Sequence, residues 1–226
     1  QVDLSYFADA AFLGDSLTVG FSDYSINLGG ALICGYTGVG PDAIVNRSAV
    51  KSSIRGEEIA MDVLTAAQWA DLFTQAAELG VSFILLAGGE PLLRPDVLAV
   101  AAREKRIIFP VFTNGTLFSP DACALFLQNR NLMPVLSLEG DAAATDARRG
   151  SGVYRRLQDA MALLHKNGVL FGASITVTRE NLTAILAEDF LRALHAAGCR
   201  AVIYVEYVPV TQESVPLALT DADRAT

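Results

Sequence analysis

From residue 81 onward the chain alternates apolar runs with stretches that read as helices. The runs are VSFILLAGG (81–89), RIIFPVFTNG (106–115), LMPVLSLEG (132–140), GVLFGASITVT (168–178) and CRAVIYVEYVPV (199–210), all rich in Val, Ile and Phe. Near-continuous apolar runs of this length suit parallel strands covered on both faces. Between them, residues 65–79, 95–104, 120–128, 153–167 and 182–197 read as helices. Start signals stand at Leu64-Thr65 before AAQW and at Ser119-Pro120-Asp121, and stop signals at Leu79-Gly80 and Asn167-Gly168, where Gly suits the left-handed position after a helix. The alternation predicts an α/β fold of repeated βα units with right-handed crossovers, as part of a (β/α) barrel or a doubly wound sheet.

Residues 1–53 follow another pattern. A short strand at 11–13 ends in Gly14-Asp15-Ser16-Leu17, and a second at 31–36 precedes Thr37-Gly38. The polar stretch NRSAVKSSIRGEE (46–58) marks a boundary, so residues 1–53 and 54–226 are expected to be separate regions.

Composition narrows the classes. A chain of 226 residues, 52% apolar and 19% charged, can bury a large core and is not disordered. Its net charge of −8 and pI of about 4.7 argue against a general partner in nucleic acid or an anionic membrane. Cys34, Cys123 and Cys199 are widely spaced and odd in number, which excludes a disulfide framework and points to a reducing, cytoplasmic setting. The opening QVDLSYFADA is not a signal peptide, and no apolar run is long enough to span a membrane.

Candidate chemistry gathers at strand ends. In Gly88-Gly89-Glu90-Pro91, two glycines let a ligand approach the backbone with no Cβ in the way, and Glu90 offers acceptors to an ammonium group. An ordinary βα turn would use the same residues. Thr113-Asn114-Gly115 predicts a tight turn that presents a side-chain amide. In Ser137-Leu138-Glu139-Gly140 the period of two sets Ser137 and Glu139 on one face and Leu136 and Leu138 on the other. A hydroxyl beside a carboxylate suits a ribose diol; the alternative is a solvated strand end. The following Asp146-Ala147-Arg148-Arg149-Gly150 reads as a loop, from which Arg149 would meet a ligand carboxylate or simply face solvent. Tyr204 and Glu206 share a face of the last strand. His165 and His195 stand near helix C-termini, where the helix dipole accounts for them, and Trp69 suits a core position.

Taken in order, GGEPLL (88–93), TNGTL (113–117), SLEG (137–140), DARRGSGVY (146–154) and SITVTREN (174–181) resemble the radical S-adenosylmethionine (radical SAM) family over roughly residues 57–212. The resemblance implies a partial (β/α)6 barrel whose first strand and cluster loop are here missing or replaced. It implies reductive cleavage of S-adenosylmethionine to a 5′-deoxyadenosyl radical, with an electron donor and a small-molecule or peptide substrate. Gly88, Gly89 and Glu90 would hold the methionyl amino group, with Thr113 and Asn114 beside the methionine. Ser137 and Glu139 would bind ribose, Arg149 the carboxylate, and the stretch around Glu206 the adenine. The family's [4Fe–4S] cluster is held by CxxxCxxC, because iron–sulfur clusters need soft thiolate ligands. The loop expected between residues 35 and 56 has no cysteine, so the metal ligands are missing and catalysis is expected to be impaired.

AFLGDSLTVGF (11–21) with GYTGVGPDAI (35–44) resembles the opening of GDSL/SGNH esterases, which makes Ser16 the candidate nucleophile of an alternative activity. That family's C-terminal Asp-x-x-His is absent: Asp159 to His165 and Asp189 to His195 are both six apart. The chain thus reads as the head of one enzyme joined to the body of another. A non-catalytic SAM-binding barrel is the remaining alternative.

Overall fold

The computed structural model describes residues 10–14, 32–35, 64–87, 89–209 and 211–224. They fall into two compact units, residues 1–112 with 129–133 and residues 113–128 with 134–226. Ser16, Gly88 and the cysteine-free segment 36–56 lie outside the described residues.

In the first unit, β1 (Ala10–Gly14), β2 (Leu32–Gly35), β3 (Phe83–Leu86) and β4 (Phe109–Thr113) are parallel. β1 pairs with β2 through Phe12 and Ile33 and with β3 through Phe12 and Leu85, while β3 meets β4 at Leu86 and Val111. The two strands of the esterase-like segment therefore join the same sheet as β3. α1 (Ala66–Glu78) begins at a capping box in which Thr65 and Gln68 satisfy each other's backbone N–H groups, and it buries Trp69 and Phe73. Phe73 is fully buried edge-on against Phe109, with ring centroids 4.8 Å apart. α2 (Pro95–Arg103) starts on proline, whose missing N–H costs nothing at a helix N-terminus, and buries Val97, Leu98 and Ala101.

Asn131 closes this unit. Its buried amide donates to the carbonyls of Ala101, Glu104 and Ile107 at 3.0, 3.1 and 3.4 Å, and its Oδ1 accepts from Lys105 Nζ at 3.0 Å. Replacing it with Ala removes these bonds together, although Ala101 O and Glu104 O still accept the backbone N–H groups of Glu104 and Ile107. Asn131→Ala is expected to lower unfolding stability by about 2 kcal/mol, read from urea denaturation; a change below about 0.5 kcal/mol would rule out the amide as a structural clamp.

In the second unit, β5 (Leu132–Leu138, from Pro134 onward), β6 (Gly172–Val177) and β7 (Ala201–Glu206) run parallel in that order. α3 (Pro120–Gln128), α5 (Val153–Lys166), α6 (Leu182–Leu186) and α7 (Glu188–Ala196) supply the helices, with Leu157, Met161 and Leu164 of α5 in the core. Ser119 Oγ accepts from Ala122 N–H at 3.1 Å, and Gly80 and Gly168 take φ of 89° and 65°, so the predicted start and stop chemistry operates.

Three expectations change. The segment read as a loop is α4 (Ala142–Arg149), capped by Asp141, whose side chain accepts from Ala144 N–H at 2.9 Å. The helix read over 182–197 breaks at Ala187, with ψ 135°, and restarts as α7 on Glu188 and Asp189, acidic residues that favour a helix N-terminus. β7 is not covered on both faces: Ile203 and Tyr204 are 36% and 38% exposed, and within its unit the strand pairs with β6 alone.

Candidate functional site

Among the described residues, Gly89, Glu90, Thr113, Asn114, Ser137, Glu139 and Glu206 stand at or just beyond strand ends, as βα architecture requires, and Arg149 closes helix α4. In the first unit Gly89 has φ 53°, and the Glu90 carboxylate accepts the Leu92 N–H at 3.1 Å, capping a short 3-10 turn at Pro91–Leu93. In the second unit Thr113 is buried, and its Oγ1 accepts the Gly115 N–H at 3.1 Å. Asn114 Oδ1 accepts from the Thr116 N–H and hydroxyl at 2.9 and 2.6 Å. Gly115 closes the turn at φ 71°, and a Cβ there would lie 2.6 Å from Leu157 Cδ2. The TNG turn is thus knit by its own side chains, and glycine is required at its last position.

Glu139 is the centre of the second unit's rim. It follows β5 directly, one residue beyond Leu138, and is only 2% exposed. Its backbone is fixed on both sides: its N–H donates to Thr145 Oγ1 at 3.2 Å, and its carbonyl accepts from Asn181 Nδ2 at 2.9 Å. The same Asn181 amide donates to Thr176 O at 2.8 Å and accepts the Thr178 N–H at 2.8 Å. Ser137, half-buried, precedes Glu139 on the same face and stands in register with Ser174.

Two arginines at the end of α4 reach the Glu139 side chain. Arg149 Nη2 lies 2.5 Å and Arg148 Nε 3.4 Å from Oε1. Both are ion pairs, and Arg149 and Thr176 stand within hydrogen-bonding reach of the carboxylate, while Arg149 Nε is buried and donates no hydrogen bond among the described residues. Burial pushes the Glu139 carboxyl above the ordinary glutamate range, and the charges of Arg149 and Arg148 oppose that rise. The Arg148 guanidinium also sits 5.2 Å from the centroid of the Tyr207 ring.

Glu206, at the end of β7, has another partner. Arg224 reaches it through Nη2 at 2.5 Å and Nε at 3.1 Å, from α8 (Asp221–Arg224). Tyr204 donates its hydroxyl to Ile185 O at 2.8 Å. The structure therefore brings Glu139 and Arg149 together and engages Glu206 in a separate ion pair.

Sequence reasoning assigned no role to Arg148, Thr145 or Asn181, and included Tyr207 only in the stretch expected to line the adenine. Asn181 carried one usable signal, a cap-type residue immediately before an apolar helical stretch, yet it makes no side-chain cap bond and binds strand ends instead. Arg148 gave none beyond its neighbour.

No group of three or more His, Cys, Asp or Glu suited to a metal occurs among the described residues. Cys123 and Cys199 are buried, their thiols point at backbone carbonyls, and burial pushes both upward from the ordinary thiol value. They are thiols rather than thiolates and do not fit an iron–sulfur cluster. Among the described residues no helix is long and apolar enough to cross a membrane.

The family model described as the radical SAM superfamily matches residues 34–186. A pre-heme d1 synthase of Dinoroseobacter shibae is 30% identical over 121 residues, covering 52% of this chain and 30% of its own length. A PqqA peptide cyclase of Streptomyces rochei is 33% identical over 123 residues, covering 53% and 34%. A mycofactocin maturase, MftC, of Mycobacterium ulcerans is 27% identical over 168 residues, covering 68% and 46%. The chain spans between about a third and a half of the length of these relatives. Among solved structures, Streptococcus suis SuiB bound to S-adenosylmethionine superposes with a TM-score of 0.60 at 19% identity, over 74% of this chain and 38% of that one. Native anSMEcpe with bound AdoMet and a peptide gives 0.57 at 14% identity, over 76% and 51%. These likenesses establish the fold as the parallel α/β fold of a partial (β/α) barrel. The family match begins inside the segment that resembles GDSL esterases, and the comparisons lend that second resemblance no support.

Proposed function

We propose, because this chain belongs to the radical SAM superfamily, that the rim around Glu139 binds the ribose and carboxylate of S-adenosylmethionine. The observation that carries the reading is a buried carboxylate held by two arginines, one of which keeps a buried Nε that donates no hydrogen bond among the described residues. Buried polar groups left unpaired cost free energy, and a ligand that pairs them recovers it. A ribose diol offers two hydroxyl donors to Glu139, with Ser137 alongside, and a methionyl carboxylate accepts from Arg149.

The remaining assignments follow the family pattern. Gly88, Gly89 and Glu90 would take the methionyl ammonium, Thr113 and Asn114 the methionine, and the stretch around Glu206 the adenine. Glu206 would play that part only if its ion pair with Arg224 opened or left its backbone free to serve. The chemistry that bound SAM supplies in this family is a 5′-deoxyadenosyl group released by reductive cleavage at a [4Fe–4S] cluster. The residues of this chain do not fit the cluster: the sequence holds no CxxxCxxC, and Cys123 and Cys199 are buried thiols. The function supported best is thus SAM binding on a radical SAM fold, with cleavage impaired for want of thiolate ligands. Relatives named for a peptide or for heme make those two substrate classes the ones to test. No observation favours an esterase at Ser16.

Equilibrium dialysis with labelled SAM, beside anaerobic iron–sulfur reconstitution, tests both halves. The expected protein binds SAM and stays colourless. Absorbance at roughly 400 nm with about four irons per chain would overturn the impairment, and absence of SAM binding would overturn the site.

A further inference from the structure

We propose that Arg148 is a positioning residue of this rim: it holds the Glu139 carboxylate charged and in place when Arg149 turns to the carboxylate of the ligand. The inference rests on the reading of the rim as a SAM site and gives a role to a residue that reading leaves idle.

Arg148 and Arg149 are consecutive at the C-terminal end of α4, and both reach the same oxygen of Glu139. Two guanidinium groups facing one carboxylate leave one positive charge in excess, which suits a ligand that carries a carboxylate. Arg149 is the one with an unspent donor, since its Nε is buried without a partner. A carboxylate that engages the Arg149 fork in two parallel bonds draws it from Glu139. Glu139, almost wholly buried, would then keep its charge with no cation beside it, a state that burial strongly disfavours.

Arg148 prevents this because it is anchored elsewhere. Its guanidinium lies over the Tyr207 ring, and Tyr207 is fixed by its own N–H, which donates to Val177 O at 2.9 Å. Partial exposure of Arg148 also leaves its charge hydrated. Among the described residues the groups that face the Glu139 side chain are Arg148 and Arg149 from α4 and the neutral Thr176 from β6. Nearby charges are committed: Asp146 accepts the N–H groups of Gly152 and Tyr154, and Glu206 holds Arg224. With Arg148 removed, burial is opposed by Arg149 alone, so Glu139 takes up its proton at a higher pH and loses acceptors for the diol.

The test measures SAM binding by equilibrium dialysis across a pH series for the wild-type chain, Arg148→Leu and Arg148→Lys, beside carbon-13 NMR titration of the Glu139 carboxyl. Arg148→Leu is expected to bind about tenfold more weakly at neutral pH. Its binding should fail at a higher pH than that of the wild type as the solution is acidified, with Glu139 titrating higher in step. Arg148→Lys, which keeps the charge, should restore most of both. Should Arg148→Leu not fold, Arg148→Gln carries the same expectation. An unchanged affinity and pH profile in the charge-removing variant, with the wild type binding normally, overturns the proposal alone. A wild-type chain that does not bind SAM overturns the site and this role together.

Discussion

Glu139→Gln is expected to weaken SAM binding by at least tenfold and up to about a hundredfold, while leaving the chain as stable as the wild type or more so at neutral pH. The amide keeps the shape of the side chain and can keep its oxygen toward the two arginines, but it replaces the other acceptor with a donor, so it no longer accepts from both ribose hydroxyls. It also removes the charge that strengthens a bond to each ribose hydroxyl. The stability half follows from the direction of the titration. Burial outweighs the two arginines and raises the folded-state value of Glu139 above its unfolded one. A group shifted upward contributes stability that is complete below the unfolded value and is lost as pH rises through the folded value. Ionising a group raised in this way therefore costs the fold something as pH rises, and glutamine carries no such cost. Urea denaturation should show the variant gaining on the wild type between acid and neutral pH. Dialysis of labelled SAM should show its binding lost, and affinity within twofold of the wild type would remove Glu139 from the site.

Asn181→Leu carries the largest expected effect on folding. One amide ties two strand ends together: it donates to Glu139 O after β5 and to Thr176 O in β6, and accepts the Thr178 N–H just past β6, and all of these groups are buried. Leucine fills similar space and pairs none of them. At roughly 1–3 kcal/mol for each unpaired buried group, partly relieved by local shifts, the loss is about 3 kcal/mol in urea denaturation. Asn181→Asp keeps the acceptor and loses both donors, so it should recover only a minor part. Losing less than about 1 kcal/mol in Asn181→Leu would show that the three backbone groups find other partners.

How much of this was legible in the sequence differs from element to element. The bounds of α1 followed from Thr65 and Gln68, because a capping box is complete within four residues. The turns at Gly80 and Gly168 followed from the freedom of glycine at positive φ. α4 was hidden because ATDARR is too polar to show an apolar stripe, and the capping bond that starts it is made by Asp141, one position earlier. The break at Ala187 was hidden because neither Gly nor Pro marks it. β7 was misread because a run such as AVIYV has the composition of a covered strand whether or not a neighbour covers it. Of the site, Glu139 and Arg149 were legible as residue types at strand and turn ends, whereas Arg148 and Asn181 were not.

The sequence by itself determined the strands and most of the helices from residue 81 onward, though not α4 or the break at Ala187, and it determined the family and the absence of CxxxCxxC, since each depends on residue type and local spacing. Only the tertiary structure decided that Glu139 is buried, that two arginines rather than one converge on it, and that an asparagine 42 residues away fixes its backbone. Burial and pairing are sums over neighbours distant along the chain. Local patterns specify which segments form elements; the packing of those elements sets the environment of one carboxylate, and with it the chemistry the rim can perform.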